Sequence, residues 1–311
     1  MRAFGNAVGT DSSLAIPHET SLDAATFPAR YRKPRKPVFL DGAMQGWSAV
    51  GKITPEYMLR TYPDKIVHAG HPASDYRMAD MMDLIEASTR EHPSPYPCTM
   101  QLVAEIPELI PDLPRRFDQS LPHRQDNPLL LSRLFNPVTN RPTLFFSGEG
   151  CDYPILHYDI KDMHTWVCQL YGEKEYVLYP PGQDGYLYVK PDKPAESEVV
   201  NAYDPDFERY PLLREAKSVR VTLKAGDVMF MPCHWWHVTR THGGSISFNF
   251  DQLAADNWAD FTRYILEEKS INGCHGVKYG VWQAYFALLG PWMWLTESLG
   301  GNRRRRWPGA R

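Results

Sequence analysis

The texture of apolar and polar positions changes midway along the chain. From Thr143 onward, short apolar or alternating runs recur between Gly, Pro and Asp: 143 to 147, 166 to 170, 176 to 179, 219 to 223, 227 to 231 and 245 to 250. Strands of that length at that spacing predict a mainly β fold, a double-stranded β-helix of the jelly-roll or barrel type. Upstream, Val38 to Leu40 reads as a short buried strand, and Thr54-Pro55-Glu56 as an N-cap with proline at the first helical position, opening a helix to about residue 60. Met78, Met81, Met82 and Ile85 recur at helical spacing and predict a second helix over roughly 78 to 90, its methionines filling core space. After residue 255, Trp258, Phe261, Tyr264 and Ile265 mark one face of a further helix. The stretch from Val281 to Leu295 is rich in Trp, Phe and Leu, is too short to span a bilayer and contains Pro291. It reads as a core or homodimer helix, with membrane-surface association as the alternative.

This pattern divides the chain into an extended N-terminal arm over 1–35, a β-rich domain over 36–255 with its barrel core at about 140–252, a C-terminal helical segment over 256–300, and a basic tail over 301–311. A long polar insert at about 180–217 is placed over one mouth of the barrel. Composition agrees: 27 prolines and 13% aromatic residues in 311 suit short strands and turns better than a helical bundle. The net charge of -3 supplies no overall basic field, so no nucleic-acid partner is expected from bulk electrostatics, and the Arg303 to Arg306 run reads as a solvated tail or an anionic contact. Five scattered cysteines without a CxxC pair, an N-terminus without a signal-like apolar core and the absence of a transmembrane run point to a reducing cytoplasm.

Candidate chemistry starts at His157-Tyr158-Asp159. Two residues apart on a strand, His157 and Asp159 project from one face and could grip one ion. Facing a barrel interior, an unpaired imidazole and carboxylate cost several kcal/mol unless hydrogen-bonded or metal-bound, so a third ligand is wanted. Met231-Pro232-Cys233-His234-Trp235-Trp236-His237 follows a Gly-Asp turn and a strand, and can return across the barrel to supply His237. Two imidazoles and one carboxylate with open positions are the arrangement of non-haem iron(II) oxygenases. His164, His234 and His242 compete as ligands, but His234 is out of phase with His237 and the others fall in expected turns.

The runs Leu144 to Asp159, Tyr171 to Pro181, Ala225 to His237 and Gly243 to Phe250 occur in one order that resembles the JmjC, or cupin-like, hydroxylases. Tyr203 to Pro211 and Trp235-Trp236-His237 are similar to segments of the asparaginyl hydroxylase that acts on hypoxia-inducible factor, and Lys36 to Trp47 is similar to the first strand of such proteins. The interval from His157 to Lys174 is longer than in that hydroxylase and resembles the spacing of JmjC lysyl hydroxylases and demethylases. The resemblance implies iron(II) held by His157, Asp159 and His237, with 2-oxoglutarate held by the lysine of the Gly-x-Lys motif, Lys174. An ammonium inside a barrel suits the distal carboxylate of that cosubstrate, while a surface lysine paired with Glu173 or Glu175 is the plainer alternative. Ser247 and Asn249, alternating on the last strand, could face the same cavity, and Tyr153 stands where relatives carry a hydroxyl that touches 2-oxoglutarate. Trp166, Tyr186, Tyr188, Trp235 and Trp236 are expected at the substrate rim. The implied activity uses O2 to hydroxylate a C-H bond of a peptide or protein side chain, with succinate and CO2 as coproducts. A small-molecule hydroxylase and a non-catalytic cupin binding module are the alternatives.

Overall fold

The computed structural model describes residues 14–23, 26–113 and 142–298. Most of the expected N-terminal arm's first half, the start of the barrel core at 140 and the basic tail with Arg303 to Arg306 lie outside the described residues.

Two long strands organise the sheet. β7 (His164–Tyr179) and β12 (Trp236–Gln252) pair antiparallel over nearly their whole length, with register shifts between His242 and Ser247. The runs expected as separate strands at 166–170 and 176–179 are therefore one, because pairing with β12 carries the ladder through the intervening polar residues. At the shift, Gly172 has φ +67° and a Cβ there would fall 1.9 Å from the Gly244 carbonyl oxygen. Only glycine fits such a position.

On either side of this point the ladder acquires different neighbours. The first half of β7 pairs with β11 (Val228–Met231) and the second half with β10 (Val219–Lys224). The second half of β12 carries β6 (Thr143–Ser147), while its first half makes bridges to Asp152 and His157. The larger layer continues through β2 (Val38–Leu40) to β1 (His18–Glu19) on one side, and through β5 (Cys98–Gln101) and β3 (Ile66–Ala69) to β4 (Ser74–Arg77) on the other. In the smaller layer, backbone bonds from Tyr158 to Ala195 and from Ser197 to Leu156 add the hairpin of β8 (Val189–Lys190) and β9 (Lys193–Ser197) beyond the 152–157 segment. The layers face each other, since Lys174 Nζ in one donates to Ser247 Oγ in the other at 3.2 Å. The result is a jelly-roll sandwich whose strand path stays open at β1 and β4.

Alternation along these strands sorts side chains into distinct cores. Between the layers, Phe39, Val167, Leu178, Met229 and Met231 fill one end, whereas Gln169, Lys174, Ser245 and Ser247 are buried and polar at the other. The outer face of the larger layer, with Trp166, Phe230 and Phe248, is covered by α1 (Pro55–Thr61) and α2 (Met78–Glu86). Thr54 caps α1 by accepting the Tyr57 N–H at 3.1 Å, and Met78, Met81, Met82 and Ile85 are all buried, as the spacing predicts. The 180–217 insert covers the smaller layer through Leu187, Val199, Tyr203, Tyr210 and Leu213. α3 (Trp258–Ile271) and α4 (Gly276–Ser298) pack together through Trp258, Phe261, Phe286 and Leu289.

The later part of the expected arm departs from an extended form. Residues Pro28–Arg32 form a helical turn, and Phe27, Tyr31 and Arg32 are buried. Phe27 packs edge-on against Phe230, and Arg32 forms ion pairs with Asp256 at 2.7 Å and Glu297 at 2.5 Å, tying this segment to the C-terminal helices.

Gly172→Ala is expected to destabilise the protein by ~3 kcal/mol, because the added methyl meets backbone that cannot rotate away. Denaturant unfolding of the variant beside wild type measures this; equal midpoints would mean the bend tolerates a side chain.

Candidate metal centre and interlayer lysine cluster

His157, Asp159 and His237 bring one ligand atom each within 4.8 Å of one another. The two histidines are set by backbone: His157 and His237 exchange N–H···O bonds of 3.1 and 2.6 Å across an antiparallel bridge, which puts their rings 4.3 Å apart. Each Nδ1 lies against a carbonyl two residues earlier, His157 on Ile155 at 2.8 Å and His237 on Trp235 at 3.2 Å. Carbonyls only accept, so Nδ1 carries the proton and each Nε2 presents a lone pair. Both Nε2 atoms stand 3.9 Å from Asp159 Oδ1. The Asp159 Oδ2 accepts from Thr165 Oγ1 at 2.5 Å, which leaves Oδ1 directed at the imidazoles. Burial and the neighbouring His237 lower the His157 pKa to about 4, so the ring is neutral and ready to ligate at ordinary pH. The donor set therefore suits a divalent metal that accepts nitrogen and oxygen ligands.

The rival histidines are engaged elsewhere. His164 is fully buried, accepts the Cys233 N–H on Nδ1 and stands 3.3 Å from Asp256. His242 is largely exposed, 3.9 Å from Glu175, and both ring nitrogens of His234 have side-chain partners.

Lys174 lies between the layers rather than on the surface beside Glu173 or Glu175. It is 2% exposed, and its Nζ contacts Ser247 Oγ at 3.2 Å and Tyr96 Oη at 3.3 Å. Among the described residues no carboxylate pairs with it, and burial lowers its pKa to about 7. Around it the interlayer face carries buried polar atoms without a protein partner: Ser147 Oγ, Gln169 Oε1 and Asn249 Oδ1. Buried polar groups are normally satisfied, so this cluster has bonding capacity left for a polar molecule: the Lys174 ammonium and the Ser147 hydroxyl can donate to it, while the amide oxygens of Gln169 and Asn249 can only accept. Tyr153 connects the two regions, with its ring stacked on His157 at 4.5 Å and edge-on to Tyr96 at 5.9 Å.

A cavity of about 840 Å³ opens beside two of the three candidate ligands, lined by Tyr153, His157, Tyr158 and Asp159, by the hairpin residues Lys193 to Glu196, and by Arg263, Tyr264 and Glu267 of α3. Of the expected rim, Trp236 lines it, with Nε1 donating to Asp184. The other rim assignments are corrected. Trp166 is fully buried on the outer face of the larger layer, because the alternation that points Val167 inward points it outward. Trp235 is buried between the layers and donates to the Arg35 carbonyl. Tyr186 is exposed but does not line the cavity, and Tyr188 packs on Tyr210 within the insert. Sequence reasoning missed Tyr96, whose loop carries no pattern pointing to this pocket. It also missed Thr165 and Gln169, which the inward phase of Val167 could have flagged as buried polar positions.

With this geometry in view, comparison with known proteins places the chain in a family. A match to the family described as "Cupin-like domain" spans residues 24–253, and the chain belongs to it. It is similar to tRNA wybutosine-synthesizing protein 5 of Mus musculus, 29% identical over 263 residues, 79% of this chain and 81% of that one. It is also similar to the human bifunctional peptidase and (3S)-lysyl hydroxylase JMJD7, 22% identical over 282 residues, 76% of this chain and 84% of that one. The arginine-specific demethylase JMJ22 of Arabidopsis thaliana is 24% identical over 261 residues, 78% of this chain and 47% of that one. Among the described residues no helix is long and apolar enough to cross a membrane.

The buried Lys174 has a consequence for stability. Its pKa is about 7 in the fold and near 10.4 unfolded, so the penalty for a buried charge is full below pH 7 and fades as pH rises toward 10. Lys174→Met should therefore stabilise the ligand-free protein most at pH 6 and least near pH 10, as read by urea denaturation. An advantage that does not change with pH would contradict this account.

Proposed function

We propose that this protein is an iron(II)- and 2-oxoglutarate-dependent oxygenase that hydroxylates a C-H bond of a peptide or protein side chain. The observation that carries the reading is the pairing of a two-histidine, one-carboxylate cluster with a buried lysine surrounded by unpartnered polar atoms. A metal alone would explain the first and not the second. His157 and His237 would hold iron(II) through Nε2, and Asp159 through Oδ1. Lys174 would bind the distal carboxylate of 2-oxoglutarate with help from Tyr96 and Ser247, while Asn249 and Gln169 offer further polar contacts. Tyr153 would close the side of the pocket next to His157. When bound, iron(II) and 2-oxoglutarate supply the oxidising power: with O2, one oxygen atom enters the substrate C-H bond and the other enters succinate as CO2 leaves. The protein's own part is to orient both partners and keep water from the interlayer space, which the apolar end formed by Phe39, Val167 and Met229 helps to do.

A protein substrate is supported by the relatives named as a lysyl hydroxylase and an arginine-specific demethylase. A tRNA substrate is the second reading, because a relative matched over most of both chains is named for tRNA wybutosine synthesis. The overall charge of -3 argues against a bulk nucleic-acid field, and in the cavity Lys161, Lys193 and Arg263 stand among Asp159, Asp162, Asp184, Glu196 and Glu267, so no local basic patch favours it either. A small-molecule substrate would use the same centre. A non-catalytic binding role is disfavoured because no member of the cluster is missing.

Purified protein with iron(II), ascorbate and O2 is expected to convert 2-oxoglutarate to succinate, and His157→Ala and Asp159→Ala to lose that turnover and metal binding together. Mass spectrometry of peptide and tRNA substrates then finds which gains one oxygen atom. Wild type that binds neither iron(II) nor 2-oxoglutarate would overturn the oxygenase.

We also propose a homodimer through the C-terminal helices. Among the described residues, the face of α4 turned away from α3 exposes Val277, Val281, Leu288 and Leu295, an apolar stripe at helical spacing. Light scattering should give twice the chain mass for wild type and the single mass for Leu288→Asp. A monomeric wild type would exclude the dimer.

A further inference from the structure

Beside the metal-binding cluster runs a chain of side chains that none of its three ligands belongs to. Asp162 lies three residues after Asp159, and His234 three residues before His237. His234 Nε2 bonds Asp162 Oδ1, His234 Nδ1 faces Arg35 Nη1 at 3.0 Å, and Arg35 Nη2 bonds Asp260 of α3. A guanidinium can only donate, so Nδ1 accepts and the single ring proton sits on Nε2, aimed at the Asp162 carboxylate. The Arg35 carbonyl also accepts from Trp235 Nε1 at 2.9 Å, and Asn257 Nδ2 donates to the Asp162 carbonyl at 3.0 Å.

The backbone at these residues is unusual. Arg35, Asp162 and His234 have φ of +51°, +52° and +67°, and Lys161 beside Asp162 has +71°. They are four of the six non-glycine residues at positive φ among the described residues. Left-handed backbone is unfavourable for residues with a side chain and persists where the surroundings over-determine it. Here all three members of one hydrogen-bonded chain hold it at once.

Their position suggests what this maintains. The bridge between His157 and His237 fixes those two ligands to each other, but Asp159 lies beyond it, on the turn that Ile160–Asp162 completes. The Asp162 to His234 bond joins that turn to the turn preceding His237, and Arg35 anchors the pair to the N-terminal segment and α3.

We propose that Arg35, His234 and Asp162 form a clasp that sets the separation of Asp159 from the two histidines, with His234 a positioning residue and not a metal ligand. This rests on the metal-binding reading above, and it makes metal affinity depend on the docked N-terminal segment.

Cobalt(II) is the probe, titrated into the full chain and followed by its visible absorption, with thermal unfolding recorded for each variant. His234→Gly keeps the left-handed turn available while removing both links. It is expected to fold, to bind cobalt roughly tenfold more weakly, and to show a changed visible spectrum. Asp162→Asn, which tolerates the same backbone and still accepts from His234, should retain most of the affinity. Should His234→Gly fail to fold, Asp162→Gly breaks the same link and is judged by the same two readouts. A folded glycine variant with wild-type cobalt affinity and spectrum overturns the clasp while leaving the metal site intact. Wild type that binds no cobalt overturns both.

Discussion

β7 and β12 share one antiparallel ladder that bends where Gly172 passes under the Gly244 carbonyl. Because side chains on paired strands alternate faces, this ladder decides at once which residues enter the space between the layers. On one side of the bend it aims Val167, Gln169, Ser247 and Asn249 inward, and on the other Lys174, Tyr176, Leu178 and His237. The two halves then face each other, so Lys174 and Ser247 meet although they are 73 residues apart. A register slip of one residue on β12 would send His237 to the opposite face and leave Lys174 opposite apolar groups. The sandwich and the candidate centre therefore depend on the same pairing.

The interlayer space is apolar at one end and polar at the other, and the two ends serve different needs. Phe39, Leu178, Met229 and Met231 supply hydrophobic burial. Lys174, Ser147, Gln169 and Asn249 work against stability, since each keeps a polar atom or charge from water without full compensation. A fold that selected for stability alone would fill those positions with Val or Leu. Their presence together, in one buried cluster near residues that can take a metal, fits the proposed cosubstrate, whose carboxylate would pair with the Lys174 ammonium.

The surrounding elements extend that logic outward. The insert at 180–217 is no loose cover: its β9 strand adds to the smaller layer against residues 156–158, and its residues Lys193 to Glu196 become cavity wall. Arg32 and Arg35 bring the N-terminal segment onto Asp256, Glu297 and Asp260, so segments distant in sequence converge near the turns beside the candidate metal ligands.

Much of this was legible beforehand, and what was legible had a local cause. Thr54-Pro55 marked a helix start because capping is settled within one turn, and Met78 to Ile85 marked a buried helix face because its period is local. Short strands broken by Gly and Pro defined the jelly-roll class, and the order of the His157, Lys174 and His237 motifs carried the family resemblance that the cupin-like match bears out. Trp166, Trp235 and Tyr188 were misplaced because being aromatic near a motif does not say which face of a strand a side chain takes. Tyr96 could not be found at all, for its place beside Lys174 is made by contacts across 78 residues of chain. The sequence by itself determined the class of fold and the set of chemical groups, through periodicities and motifs read over a few residues. Only the tertiary structure decided which of those groups come together, because the bend at Gly172 and the register of β7 on β12 are fixed by packing between segments far apart in the chain.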